Sequence, residues 1–163
     1  MLTVTINTII QALEQLLRIH ESLLLTSKEK TEIIKRGEPD QLQSVILKEY
    51  KIIQQLEQAE AKREKAVDDW FAEQGEVASK TISEMLGRMT DEQEKEVLLS
   101  HMVRLTEKIT ELKSQEHLNK ELLQQSLKFV QLSLSTMNPS LGNFNYGNEN
   151  KQATNRSVFD SKA

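Results

Sequence analysis

Residues 36–42 read Arg-Gly-Glu-Pro-Asp-Gln-Leu, and we expect the chain to reverse its direction within them. Gly37 tolerates the left-handed backbone conformation that ends many helices, and the basic residues before it suit the negative end of a helix dipole. Pro39 suits the first turn of a helix and forces Glu38 to be extended. The stretch therefore predicts the end of one helix, the start of another and a tight antiparallel hairpin.

Before this stretch, apolar residues recur three and four positions apart, which predicts a helix over residues 5–36. A second stripe lies beside the first, so we expect this helix to meet two neighbours. The two stripes are Ile6, Ile9, Leu13, Leu16, His20, Leu23 and Ile34, and Ile10, Leu17 and Leu24. After Leu25 the stripe is expected to fade, because Ser27, Lys28 and Lys30 are polar or charged.

After the stretch, the same spacing predicts a second helix of about 30 residues that ends near Trp70. Its inward positions are Leu42, Val45, Glu49, Ile52, Leu56, Ala59, Arg63, Ala66 and Trp70. Helices this long in a chain of 163 residues must pack lengthwise.

The remaining helical part is expected to contain one short and one long helix. Weak periodicity in residues 71–89 predicts a short helix over the end of the bundle, built on Val77, Ile82, Met85 and Leu86. Thr90 and Gln93 have the spacing of a capping box, so a third long helix is expected to start at Thr90. It is expected to run to about Met137, where Asn138 and Pro139 would end it.

The predicted fold is all-α: an antiparallel bundle or hairpin of three long amphipathic helices plus a short helix, with a disordered C-terminal tail. The helical domain is expected to span residues 1–137, and the flexible tail residues 138–163.

Composition argues against several classes of function. The chain has no cysteine and only 5 glycines, so it has no thiolate ligands and little material for phosphate-binding loops. The net charge is -4 with no basic face, so we expect no nucleic acid partner. No apolar run approaches a membrane span and the N-terminus lacks the charged region of a secretory signal, so we expect no direct membrane insertion and a cytoplasmic location.

The three histidines do not have the spacing of a metal site. His20, His101 and His117 form no i, i+4 pair, and none follows a glutamate by three residues as in di-iron bundles. We therefore expect no enzyme, no metal and no cofactor, with His20 packed on the apolar stripe and the other two histidines at the surface.

The C-terminal half of the third helix, about residues 115–137, carries more apolar surface than one neighbouring helix covers. Gln115, Glu116 and Asn119 have the inward spacing, and a buried Asn119 would fix the register of packing at some cost in stability. Two apolar lines follow: Leu123, Leu127, Val130, Leu134 and Met137 on one face, and Leu118, Leu122, Phe129 and Leu132 on the adjoining face. Either two neighbours or a second copy cover these lines, or they form a docking surface for a partner's amphipathic helix.

The segment from residue 138 to the end has too few apolar residues to form a core, so a disordered tail is expected. It nonetheless holds three of the seven aromatic residues, Phe144, Tyr146 and Phe159. Because aromatic anchors dominate interface energies, we expect these residues to contact a partner.

Several features of the sequence together match one family. They are the long amphipathic helices, residues 37–42 leading into residues 51–63, the block of residues 116–127, and the Asn-rich tail with Tyr146 and Gly147. Together they resemble the FlgN family of flagellar export chaperones, whose block has the form Asn-x-x-Asn-x-x-Leu followed by Ser-Leu. The positions that match are Asn119, Leu122, Ser126 and Leu127, and Glu116 stands in the place of the first Asn.

The resemblance implies a cytoplasmic chaperone that binds hook–filament junction (hook-associated) proteins, prevents their premature assembly and delivers them to the flagellar type III export gate. The expected client-binding residues are Leu118, Asn119, Leu122, Leu123, Leu127, Val130 and Leu134. Tyr146 matches the tail tyrosine that would dock the loaded chaperone on the cytoplasmic domain of the gate. A weak homo-oligomer is compatible with this chaperone. The alternatives are a self-associating coiled-coil structural or adaptor protein and a helical regulator that sequesters another partner protein.

Overall fold

The computed structural model of the protein describes residues 4–76 and 81–137, and all regular secondary structure within these ranges is helical. The helices are α1 (Val4–Arg36), α2 (Pro39–Glu73), α3 (Ile82–Arg88) and α4 (Glu92–Met137). The all-α prediction of three long helices and a short one is therefore confirmed. Val77 and the predicted disordered tail, residues 138–163, lie outside the described residues.

Contacts between residues divide the chain after Lys120. Residues 4–76 and 81–120 form what we call the bundle unit, which contains α1, α2, α3 and the first part of α4. The described remainder, residues 121–137, is called the α4 end segment. The predicted division between residues 137 and 138 stays a prediction.

The turn between α1 and α2 has the geometry that residues 36–42 predict. Gly37 has a φ of +69°, the left-handed conformation that glycine adopts without strain. Its backbone N–H donates to the carbonyls of Ile33 and Ile34, both at 3.1 Å, and thereby closes the last turn of α1. The N–H of Leu42 donates to the carbonyl of Glu38 at 3.0 Å and opens α2. The predicted hairpin is confirmed.

The directions of the long helices in the bundle unit follow from their contacts. Lys48 of α2 pairs with Glu29 of α1, whereas Glu73 at the far end of α2 accepts a hydrogen bond from Thr5, so α1 and α2 are antiparallel. His101 of α4 lies 3.3 Å from Glu14, and the more distant Asn119 donates to the Ser27 carbonyl. Within the bundle unit, α4 therefore runs parallel to α1.

The core of the bundle unit uses the predicted apolar stripe of α1. All seven residues of the first stripe are buried, and the second stripe packs beside it. Phe71 of α2, Met85 of α3 and Leu98 of α4 are fully buried against this face. The expectation that α1 meets two neighbours is confirmed, because both α2 and α4 pack on it.

The structure corrects the prediction that the buried face of α1 fades after Leu25. Ser27, Lys30 and Thr31 are all buried. They remain inside the bundle because polar residues of α2 and α4 face them and satisfy their hydrogen bonds.

Two smaller predictions also differ from the structure. Asp91, not Thr90, caps α4, because its carboxylate accepts from the N–H groups of Gln93 and Glu94 at 3.0 and 3.2 Å. His101 is half-buried rather than at the surface, since its Nε2 lies against Glu14.

Candidate functional site

Polar side chains from three helices meet inside the bundle unit, in what we call the polar cluster. Its members are Ser27, Lys30 and Thr31 of α1, Glu49 of α2, and Gln115, Glu116 and Asn119 of α4. The α4 members lie one helical turn or less apart, so they present one polar face to α1.

Asn119 is the most deeply buried member of α4 in this cluster, with 1% of its surface exposed. Its Nδ2 donates to the backbone carbonyl of Ser27 at 2.9 Å and to the Ser27 hydroxyl at 3.0 Å. The Thr31 hydroxyl donates to Asn119 Oδ1, and Gln115 Nε2 donates to that hydroxyl at 2.6 Å. The amide of Asn119 is thus satisfied on both sides, and sliding α4 along α1 would break all of these bonds.

Lys30 lies between two carboxylates from different helices. Its Nζ is 2.8 Å from Glu49 Oε1 and 3.1 Å from Glu116 Oε2. Burial raises the pKa of Glu49 above its ordinary value, against the opposing effect of Lys30. Burial also acts to raise the pKa of Glu116, but hydrogen bonds from Ser27 and Lys30 and the Lys30 charge outweigh it, so this pKa is lowered. Glu116 therefore serves as a carboxylate partner of Lys30.

The α4 end segment differs from the polar cluster, because its apolar side chains are exposed. Within residues 121–137 no side chain is buried, although the segment is rich in large apolar residues. The exposed ones are Leu123, Leu127, Phe129, Val130, Leu132, Leu134 and Met137. Within residues 121–137, both apolar lines that the sequence predicts are therefore largely open to solvent, with Leu122 half-buried. An exposed apolar stripe of this length is typical of a surface that binds another protein.

The structure brings only some of the predicted client-binding residues together. Leu123, Leu127, Val130 and Leu134 are exposed in the α4 end segment, with Leu122 half-buried among them. Leu118 is exposed at the end of the bundle unit, whereas Asn119 is turned into the polar cluster. Tyr146 lies outside the described residues. The binding roles of all these residues stay predictions.

Sequence reasoning missed the α1 half of the polar cluster. The spacing on α4 predicts that Gln115, Glu116 and Asn119 face inward, but it does not identify the residues of α1 that face them. A signal was present, since three polar residues at inward positions require polar partners on a neighbouring helix. The run of Ser27, Lys30 and Thr31 has the matching spacing on α1.

In residues 4–76 and 81–137, no helix has an apolar stretch long enough to cross a bilayer.

Comparisons with known proteins cover almost the whole chain. The family model described as FlgN protein matches residues 1–154. The uncharacterized protein YvyG of Bacillus subtilis (strain 168) is 33% identical over 161 residues, which are 96% of this chain and 98% of the relative. No solved structure matches the chain.

Proposed function

We propose that this chain, which belongs to the FlgN family of flagellar export chaperones, binds hook–filament junction proteins in the cytoplasm before they are exported. Binding would cover client surfaces that otherwise assemble too early. The loaded chaperone would then deliver its client to the type III export gate. The chemistry required is reversible burial of apolar surface, without a cofactor.

The exposed apolar face of the α4 end segment is the observation that carries this proposal. Leu123, Leu127, Val130 and Leu134 recur at three- and four-residue spacing and are all exposed. A partner helix with a complementary apolar face can bury such a line by helix-to-helix packing. Each fully buried Leu contributes about 1.5–3 kcal/mol, so a few such contacts are enough for a stable but reversible complex.

Asn119 is proposed to support the client surface, whereas the leucines are proposed to contact the client. Its amide is occupied by Ser27 and Thr31, so it supports the client surface by holding α4 on α1 within the bundle unit. Leu118 and Leu122 complete the proposed client-binding set. Tyr146 is proposed to dock the loaded chaperone on the cytoplasmic domain of the gate, as the family resemblance implies.

The client surface can be tested with two matched double variants of the full chain. Leu123→Gln with Leu127→Gln changes two exposed leucines four residues apart in the α4 end segment. Leu99→Gln with Val103→Gln makes the same kind of change in the bundle part of α4, where both side chains are 48% exposed. We expect the first pair to weaken binding of a purified hook–filament junction protein by more than about tenfold, because each removed contact is worth at least about 1.4 kcal/mol.

Isothermal titration calorimetry measures both affinities, and circular dichroism checks that both variants are folded. Equal affinities for the two double variants would place the client elsewhere and refute the assignment of the α4 end segment.

The alternative of a self-associating structural or adaptor protein makes a different prediction for the same variants. If the apolar face is the interface of an obligate dimer, Leu123→Gln with Leu127→Gln converts that dimer to a monomer. We expect instead a monomer or a weak homo-oligomer, with the same mass for the wild type and the variant at low micromolar concentration. Sedimentation velocity over a dilution series measures this mass. A tight dimer that the double variant dissociates would favour the alternative.

A further inference from the structure

A second surface lies in the bundle unit, apart from the residues of the proposed client site. It is a groove of about 440 Å³ between α1, α2 and α4, with α3 at one end. Its large apolar lining residues are Leu13, Leu16, Ile82, Met102, Leu105 and Ile109. This volume falls within the range of about 300–1,000 Å³ typical of ligand pockets.

One wall of the groove is acidic. Glu60, Glu64 and Asp68 line it at four-residue intervals along α2, so their carboxylates lie on one face of that helix. Arg63 is the one lysine or arginine among the groove's described lining residues, and His20 lines the groove as well. Its Nη2 lies 2.5 Å from Glu60 Oε1, and its Nε donates to the same carboxylate at 3.0 Å. Glu64 Oε1 is farther from the guanidinium, at 3.9 Å. The α2 wall of the groove therefore has a net negative charge, next to the apolar lining residues.

The sequence pattern does not predict this groove. Arg63 has the inward spacing on α2. Its ion-pair partner is Glu60 on the same helix, three residues away. Arg63, Met102 and Ile109 all line the groove.

We propose that this groove binds a partner peptide segment whose few apolar side chains are bordered by lysine or arginine. The apolar side chains would cover Met102 and Ile109, which are half-buried, and the basic ones would pair with Glu64 and Asp68. Apolar contact supplies the affinity, and the complementary charge fixes the orientation and selects basic over acidic segments. The site does not depend on the proposed function, because it uses none of the proposed client-binding residues.

Two synthetic helical peptides of about 18 residues, or about five turns, test the selectivity. Both carry leucines at three- and four-residue spacing, and the residues bordering the leucines are lysine in one peptide and glutamate in the other. We expect the lysine peptide to bind the full chain at least about tenfold more tightly, and its affinity to fall as salt is added. Fluorescence anisotropy of the labelled peptides measures both affinities. Equal binding of the two peptides would overturn the proposal.

Charge-reversal variants test the location. Glu64→Lys changes an exposed carboxylate of the groove wall, and Asp69→Lys makes the same change on α2 in a separate depression lined by Lys62 and Lys65. We expect Glu64→Lys to weaken the lysine peptide about tenfold, while Asp69→Lys changes its affinity by less than about twofold. Asp68→Asn is a milder second variant, expected to weaken binding in the same direction.

Methyl NMR on the wild type tests whether the lysine peptide binds in the groove. The lysine peptide is expected to shift the Met102 and Ile109 methyl resonances, and to do so equally in the chain with Leu123→Gln and Leu127→Gln. Shifts confined to residues 121–137, equal effects of the two charge reversals, or a second copy of this chain already filling the groove would each refute the proposal. Loss of client binding without loss of peptide binding would separate this site from the client site.

Discussion

At the scale of single residues, Asn119 and Lys30 show how a buried polar group is kept inside a helical bundle. The Asn119 amide both donates and accepts, and Ser27 and Thr31 provide the matching groups. Lys30 receives a carboxylate from each neighbouring helix. Neither residue could be buried alone, because an unpaired buried amide or charge costs several kcal/mol, about 2–7 for the amide.

Replacing Asn119 by alanine is expected to lower the free energy of unfolding by about 1–3 kcal/mol, because it removes the buried hydrogen bonds that the amide makes with Ser27 and Thr31. Leu118→Ala, at the exposed neighbouring position, is the control and is expected to change this free energy by less than about 0.5 kcal/mol. Urea unfolding followed by circular dichroism measures both. A loss at Asn119 no larger than at Leu118 would contradict the role of the polar cluster.

The polar cluster also predicts a pH dependence with a definite sign. The pKa of Glu116 in the folded chain lies below its ordinary value of 4.5, so its stabilising contribution is present above that pH. The contribution is lost as the pH falls through the lower, folded-state pKa. The pKa of Glu49 is raised, so this carboxyl takes up its proton earlier on acidification, and its protonation favours the folded state.

We therefore expect Glu116→Gln to be less stable than the wild type at neutral pH, and the difference to disappear in strong acid. Glu57→Gln, at an exposed position of α2, controls for the loss of one negative charge. Thermal unfolding at a series of pH values measures the difference. A gap between Glu116→Gln and the wild type that persists at the lowest pH would show that the carboxylate is not its cause.

At the scale of helices and turns, the sequence predicts local features well and distant ones poorly. The hairpin follows from residues 36–42 because glycine and proline restrict the backbone wherever they occur. The cap of α4 falls on Asp91 rather than Thr90, since adjacent residues can both cap and only the backbone geometry selects one of them. Burial of Lys30 could not be predicted from α1 alone, because its partner Glu116 lies 86 residues away.

The turn between α1 and α2 gives a prediction at this scale. Gly37→Ala is expected to lower the free energy of unfolding by about 1–2 kcal/mol, because alanine is strained at a φ of +69°. Gly87→Ala in α3 is the matched control, where a Cβ meets nothing within 4 Å, and it is expected to add about 0.5–1 kcal/mol through helix propensity. Thermal unfolding measures the two effects. Destabilisation by both variants would contradict this explanation.

At the scale of the whole molecule, the bundle unit and the α4 end segment differ in where their apolar residues lie. In the bundle unit, large apolar side chains of all four helices form one core. In residues 121–137, large apolar side chains are exposed along the helix. The sequence predicts both surfaces, but it leaves open whether the second was covered by a neighbour, a copy or a partner. In the structure, Leu127 and Leu134 are exposed.

This difference predicts how amide hydrogen exchange varies along α4. Opening of a helix costs little where few apolar contacts are lost, so residues 121–137 are expected to exchange at least about tenfold faster than residues 98–119. Adding a purified hook–filament junction protein is expected to slow exchange in residues 121–137 selectively. Mass spectrometry of exchanged peptides measures both effects. Equal protection along the free helix would contradict the description of the end segment, and unchanged exchange after addition would argue against its role in binding.

The polar cluster has a consequence for the chain while it is still being synthesised. The α1–α2 hairpin can form as soon as α2 has emerged, but Lys30 meets Glu116 only 86 residues after its own synthesis, and Ser27 meets Asn119 after 92. At about 5–20 residues per second, that wait lasts roughly 4–20 s. During it, water can solvate the hydroxyls of Ser27 and Thr31, and Glu49 of the hairpin already pairs with Lys30. These residues therefore add no apolar surface to their end of the hairpin before α4 is made.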